Sequence, residues 1–324
     1  MTWLKNKCTA FLIERFMSMM IPLNIVMTYP VRWTKYKVLR DFVQNFYDSV
    51  GHECWKDRFR YKYCNGLLSM WMKDICFSYE WLLHIGASTK TKDSINNAGY
   101  FGEGFKIASL CAKRDFEWQI KMSSGNWELS VECIMQEIDG NIVQMLAYDV
   151  QEKETQNRSC LELSFLTEDD FQLFKKVLHS FYYPENPLMG EKIWEGREGA
   201  LYTRSRNAYE KGLPYTGDFG RKGAVFCAYQ LLGSNPFDLV VCLHNYKKED
   251  RERNDLYSFD VIDVFQKLSY SIDPYGALRM LEKMRRYWNS NPKKRIDICS
   301  WSPVINRLIY TISQSSEVTK CFQK

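Results

Sequence analysis

Between Gly99 and Lys106 the chain reads GYFGEGFK, three glycines in six residues, and runs straight into the apolar stretch IASLCA. Glycine weakens the interior of a helix or strand, so such a cluster belongs to a loop. Gly102 and Gly104 let the backbone approach a bound group closely, in conformations that point successive N–H groups inward. The apolar stretch predicts a helix over residues 105–113, whose free N–H groups and positive dipole end face that loop. Lys106 adds a full charge. These are the parts of a phosphate site, although a tight structural turn would use the same glycines. The spacing G-x-x-G-x-G-x-K is not the P-loop pattern, and it reverses the order of spacings in the dinucleotide fingerprint.

Upstream lies RDFVQNFYDSV. On a helical wheel at about 100° per residue, Leu39, Phe42, Val43, Phe46 and Val50 fall on one broad side. Asp41, Asn45 and Asp48 fall within about 60° of each other on the opposite side. A core-facing helix with a solvated polar stripe accounts for this pattern. The residue types also fit a site. A carboxylate acts as general base or orients a water, and a carboxamide oxygen suits Mg²⁺, a hard ion that keeps its waters. Between the two stretches, IGASTK supplies Gly86, Ser88, Thr89 and Lys90, a second small, polar and basic loop that also reads as a helix C-cap with solvated residues after it.

Composition narrows the field. The chain has 324 residues, 45% hydrophobic, 15% aromatic and 26% charged, with a net charge of +5. Those values fit one large or two smaller globular domains. Basic residues occur only in short clusters, which argues against a dedicated nucleic-acid face. Eleven cysteines are scattered with no CxxC pair, and the four histidines show no metal-ligand spacing, so neither a zinc site nor a disulfide framework is expected. Glu14 and Arg15 interrupt the apolar N-terminal run, and nothing else approaches the roughly 18 apolar residues that a membrane helix needs. The expectation is a cytoplasmic protein without membrane contact.

Along the chain, residues 1–30 read as a Met-rich lead segment of helical character, followed by the helix over 35–50 and a strand near Leu67–Met72. SYEWLLHIG reads as a short helix ending at Gly86. Alternating runs DFEWQIKM, NWELSVECIM, GNIVQMLAYDV and CLELSFL predict strands. TEDDFQLFKKVLHSF predicts a helix capped by Thr167. YYPENPLMGE is the candidate linker. Beyond it ALYTRSR, GAVFCAYQL and FDLVVCLHNY predict strands, with helices near 257–270 and 275–290. The expected division is a lead or strap segment over 1–32, a first domain over 33–183 and a second over 191–324.

Taken in order, these elements resemble the GHKL, or Bergerat-fold, ATP-binding superfamily of gyrase B subunits, MutL proteins, heat-shock chaperones and sensor histidine kinases. RDFVQNFYDSVG is similar to its first helix, IGASTK to its lid-side loop and GYFGEGFKIASL to its glycine box. The resemblance covers roughly residues 33–165 and lies nearer the gyrase B, MutL and chaperone branch than the histidine kinases. It implies an α+β fold: a Bergerat-type sandwich with a mixed sheet covered by helices, then a smaller α/β domain like a transducer domain. It also implies roles. Asp41 is the catalytic carboxylate, and Asn45 coordinates Mg²⁺, with Asp48 a turn further on. Gly99, Phe101, Gly102, Glu103, Gly104, Phe105 and Lys106 wrap the phosphates of ATP. Gly86, Ser88, Thr89 and Lys90 line the lid, and Ser159 stands in for a threonine near the adenine.

Two departures stand out. Asp41 replaces the usual glutamate and is one methylene shorter. The adenine-reading DxGxG is represented by MKDICF, which places Met72 at the aspartate and Asp74 at a glycine; the resemblance then implies either that Asp74 accepts the adenine amino hydrogen through a local shift, or that the base is held by shape or is another base. In the second half Lys247, Lys248, Arg251 and Arg253 are candidates for a γ-phosphate contact or a solvated charged loop. The resemblance therefore leaves three functions open: an ATP-driven lid and dimer switch with slow hydrolysis, its N-terminal segment strapping across a second copy; a nucleotide-binding regulatory or scaffold module for a protein partner; or an ATPase subunit of a nucleic-acid repair or defence system.

Overall fold

The computed structural model describes residues 18–83, 103–205, 223–246, 256–291 and 298–322. Contacts divide the chain into two units, one comprising Met1–Phe42, Arg58–Thr89 and Phe101–Phe171, the other Val43–Asp57, Lys90–Tyr100 and Gln172–Lys324.

The first unit is built on two hairpins. β2 (Phe59–Cys64) and β3 (Leu67–Lys73) turn through Asn65-Gly66; β4 (Gln119–Ile138) and β5 (Asn141–Ser164) turn through Asp139-Gly140. All four turn residues have positive φ, between 49° and 79°. Asn-Gly and Asp-Gly adopt this type I′ geometry most readily, and its twist matches that of paired strands. β5 is the spine of the sheet. β4 pairs along it, while β3 pairs with residues 158–163 and β1 (Met19–Val26) with residues 145–150. Every pairing in this sheet is antiparallel. The mixed sheet implied by the resemblance is therefore corrected.

Within the lead segment expected to be helical, Met19–Val26 is a strand, a correction over those residues, while residues 1–17 lie outside the described ones. Pro22 lies on β1, with a register shift between Pro22 and Val26. Proline is tolerated at an edge, where its missing N–H breaks no ladder.

α1 (Lys35–Arg58) is helical on both sides of Gly51, where φ is 72° and ψ 173°. In the first unit its Val38, Leu39 and Phe42 are fully buried. α2 (Gly104–Asp115) packs on β4 and buries Phe105, Ala108, Leu110, Cys111 and Ala112. Arg114 then fixes the chain that enters α1. Its guanidinium donates to the carbonyls of Met27 at 3.2 Å, Tyr29 at 2.6 Å and Val31 at 2.5 Å, and pairs with Asp115 at 2.7–2.8 Å. Lys35 Nζ meets Asp170 Oδ1 at 2.7 Å. Asp170 also accepts from the Thr167 N–H at 3.0 Å while Thr167 Oγ1 accepts from the Asp170 N–H at 3.2 Å. This is the capping box at the start of α3 (Glu168–Leu178), with an aspartate as the acidic member.

The second unit holds the larger share of the chain. Its sheet has the order β6-β7-β10-β8-β9, from β6 (Met189–Gly196), β7 (Gly199–Arg204), β8 (Gly223–Cys227), β9 (Gln230–Asn235) and β10 (Leu239–Leu243). Only the β10–β8 pairing is parallel. GAVFCAYQL is thus two strands of a hairpin rather than one. Among the described residues four helices follow: α4 (Ser258–Ser271), α5 (Pro274–Ser290), α6 (Ile298–Ser313) and α7 (Ser316–Phe322). Their shared core centres on Phe237, whose ring lies 4.7–5.7 Å from those of Phe265, Tyr287, Trp288 and Trp301. Among the described residues no helix is long and apolar enough to cross a membrane.

The two turn glycines of the first unit differ in one respect. A Cβ on Gly140 would meet nothing within 4 Å, whereas one on Gly66 would lie 3.2 Å from the Leu166 carbonyl oxygen. Gly140→Ala should cost about 1 kcal/mol, the left-handed penalty alone. Gly66→Ala should cost more, because backbone cannot move aside. Urea unfolding of the two variants measures the order, and a larger loss at Gly140 would contradict this packing.

Candidate functional site

The glycine cluster and the polar stripe meet at one described point. Gly104 opens α2, with Glu103 as its N-cap residue. No left-handed φ requires glycine here. What excludes a side chain is Asp41: a Cβ on Gly104 would lie 2.3 Å from Asp41 Oδ2 and 2.5 Å from Oδ1. The half-buried carboxylate therefore rests against the bare Cα at the head of α2. Negative charge is favoured there by the free N–H groups and the helix dipole, by about 0.3–2 kcal/mol depending on burial. Phe42 and Phe105, the next residues along each helix, hold the arrangement through an edge-to-face contact at 5.5 Å. Phe105 in turn packs on Tyr148 of β5 at 6.3 Å.

Lys106 is only 2% exposed. Burial away from water disfavours its charged form and brings its pKa down to about 8.

On the remainder of α1, Asn45 is exposed and Asp48 half-buried. Asp48 Oδ2 accepts from Gln44 Nε2 at 3.5 Å, and Gln44 Oε1 accepts from the buried Gln230 at 3.2 Å. Gln44 was not singled out by the helical wheel, because a buried amide on an apolar flank gives no periodic signal.

The Met72–Phe77 stretch is fastened to the β4–β5 hairpin. Met72, 1% exposed, is the cross-strand partner of Ser159. Ser159 Oγ donates to the Ile75 carbonyl at 2.7 Å and shares a hydrogen bond with Ser124 Oγ at 2.8 Å. Ser124 Oγ also accepts from the Phe77 N–H at 2.9 Å, and Trp127 Nε1 donates to the Phe77 carbonyl at 2.7 Å. Asp74 has φ 61°, a left-handed conformation that aspartate tolerates better than most residues. Its N–H donates to the Asn157 carbonyl at 3.0 Å, and its Oδ1 accepts from Asn157 Nδ2 at 2.6 Å. Ser124 and Asn157 carry no sequence signal as site residues; only strand register brings them to this loop.

Gly86, Ser88, Thr89, Lys90, Gly99, Phe101 and Gly102 lie outside the described residues, as do Lys247, Lys248, Arg251 and Arg253. Among the described residues no group of three or more His, Cys, Asp or Glu could hold a metal ion. In comparison with known proteins, no protein-family model matches the chain and no curated protein matches it.

Two measurements test this geometry without reference to any ligand. Gly104→Ala should destabilise the chain by about 1–3 kcal/mol, as overpacking does. In an Asp41→Ala background the same change should be neutral or stabilising, because alanine is the better helix former. A double-mutant cycle by urea unfolding reads that reversal. For Lys106 the folded pKa lies below the unfolded one, so the native chain binds fewer protons between about pH 8 and 10.5. Its contribution to stability therefore rises with pH across that window, on the order of 3 kcal/mol in all. The difference between the wild type and Lys106→Met should show this rise, and a flat difference would remove the buried cation from the account.

Proposed function

We propose that the chain binds ATP with Mg²⁺ and hydrolyses it slowly, the nucleotide ordering a lid and so switching the protein between two conformations. The observation that carries this reading is the seating of Asp41 against Gly104. It joins the acidic helix to the glycine-led helix head at one place, as a triphosphate site requires. The order of the described elements supports it too: polar helix, hairpin, glycine-led helix, then a second long hairpin. So does Asp74, which stands where the resemblance has a glycine and takes a glycine-like φ of 61°.

Each residue then has a task. The N–H groups at the head of α2 and the buried Lys106 receive phosphate oxygens, a cradle that costs little reorganisation because helix and charge are already in place. Asp41 takes a proton from, or orients, the attacking water. Its shorter reach relative to glutamate makes slow turnover the expectation. Mg²⁺ fits the donor set, since it usually takes one or two protein oxygens and completes its shell with water and phosphate. Asn45, exposed one turn beyond Asp41, would hold it, and the ion would neutralise phosphate charge when bound.

A second reading is favoured by Met72. It is buried in the sheet at the place where the resemblance has an adenine-reading aspartate, and the Asp74 carboxylate is engaged by Asn157. In that reading the chain is a nucleotide-dependent regulatory module with little turnover.

Calorimetry with ATP, ADP and GTP, with and without Mg²⁺, alongside phosphate release, separates these outcomes. The ATPase reading expects Mg²⁺-dependent binding and release, with Asp41→Asn retaining binding and losing about 10²-fold or more in rate, the scale of general-base catalysis. Binding without turnover supports the second reading. Absence of nucleotide binding, or equal release from Asp41→Asn, rejects the first.

A further inference from the structure

The second unit contains a cluster of imidazole and phenol rings that the nucleotide reading does not use. His52 follows Gly51, the residue whose φ of 72° interrupts α1. Its ring stacks on Tyr229 at 4.9 Å and 17°. Tyr229 stacks on His244, at the end of β10, at 4.8 Å and 15°. Tyr182 meets the His244 ring edge-on at 5.4 Å, and the two imidazole centroids are 6.2 Å apart. Tyr182 and Tyr229 are 1% and 3% exposed.

Two details set this cluster apart from ordinary core. The β8–β9 turn consists of Ala228 and Tyr229 at φ 45° and 65°. Hairpins of this length normally give those left-handed positions to Asn and Gly, and a bulky residue there is strained. The strained turn is what carries the Tyr229 ring onto both imidazoles. The second detail is His244 itself. It is hydrogen-bonded to the Arg197 carbonyl, while its buried Nε2 has no hydrogen-bond partner among the described residues. A neutral ring leaves only a lone pair at that atom. A protonated ring places an N–H there with nothing to accept it.

We propose that this cluster is an acid-sensitive latch: the turn, the end of β10 and His52 pack together while both imidazoles are neutral, and protonation loosens them. Two imidazolium ions at this spacing repel, and burial removes the water that would solvate them. The surrounding charges do not offset this. Glu53 lies 3.9 Å from His52 Nε2 but is exposed. Glu195 is paired with Lys192 at 2.7 Å, and Glu198 accepts from Asn245 at 2.9 Å. The Cys242 thiol and the Tyr182 hydroxyl, the latter bonded to Tyr202 at 3.0 Å, are kept neutral by burial. The stacked face of Tyr229 would favour a cation modestly, yet burial still holds both imidazoles below the ordinary 6.5, with His52 adding to the effect on His244. Native chain then binds fewer protons than unfolded chain below pH 6.5. Stability is complete above that value and falls as pH drops through the folded pKa values.

The test uses the full chain. Hydrogen exchange of peptides spanning β8 to β10, corrected for the intrinsic rate, is compared at pH 7.5 and 5.5 for wild type and for His52→Phe/His244→Phe, which keeps the rings and removes the protons. Wild-type protection should weaken on acidification, by up to tenfold per pH unit for each imidazole, and the variant should lose that component. Should the variant fail to fold, ring resonances of the four histidines in the wild type decide the matter. Titration of His52 and His244 below 6.5 supports the latch. Titration of either at or above 6.5, or a variant with wild-type acid sensitivity, overturns it.

Discussion

One close approach marks the first unit: a Cβ on Gly104 would run into the Asp41 carboxylate, which would have to move aside. The surrounding contacts serve this seat. Phe42 and Phe105 pack beside it, and Arg114 collects three carbonyls of the strand-to-helix connection at the opposite end of α2. With one helix fixed at both ends to the chain that begins the other, the two approach at one depth only. A water-exposed pair of helices would not need such an anchor. A pair that places a carboxylate at a helix head does.

The sheet behind these helices supplies stiffness. β4 and β5 are far longer than typical strands of about 5–6 residues, and β5 carries a different partner along each part of its free edge. The same register that seats β3 beside residues 158–163 also puts Ser159 and Asn157 against the Met72–Phe77 stretch. Side-chain hydrogen bonds there take up backbone groups that the end of a strand would leave unpaired. The second unit shows a different design: an apolar sheet and helix core around Phe237, and a turn with two left-handed residues whose Tyr229 ring stacks between His52 and His244.

Much of the secondary structure was legible because its causes are local. The helix over 104–115 follows from the glycines before it and the apolar run after. Thr167 capped α3 as its residue type predicts, with Asp170 closing the box. Asn65-Gly66 and Asp139-Gly140 sit where hairpins turn. The strand at Met19–Val26 was not legible, since Pro22 and consecutive methionines conceal any alternation. The helix at Ile298–Ser313 was missed for a similar reason. Pro303 reads as a breaker, and only the seating of Trp301 against Phe237 and Phe265 shows which face holds it. GAVFCAYQL misled because Ala228-Tyr229 is an improbable turn sequence, imposed by the contacts of Tyr229.

The sequence by itself determined most of the helices and several strands, the polar stripe Asp41, Asn45 and Asp48, and the glycine cluster before α2. Capping, turn chemistry and periodicity act over a few residues and leave their mark in composition. Only the tertiary structure decided that Gly104 is bare because Asp41 fills its side-chain space, that Lys106 is withdrawn from water, and that His52, Tyr229 and His244 share one stack. Those outcomes depend on how distant elements pack. Packing is set by complementary shape and burial across the chain, which no local pattern encodes.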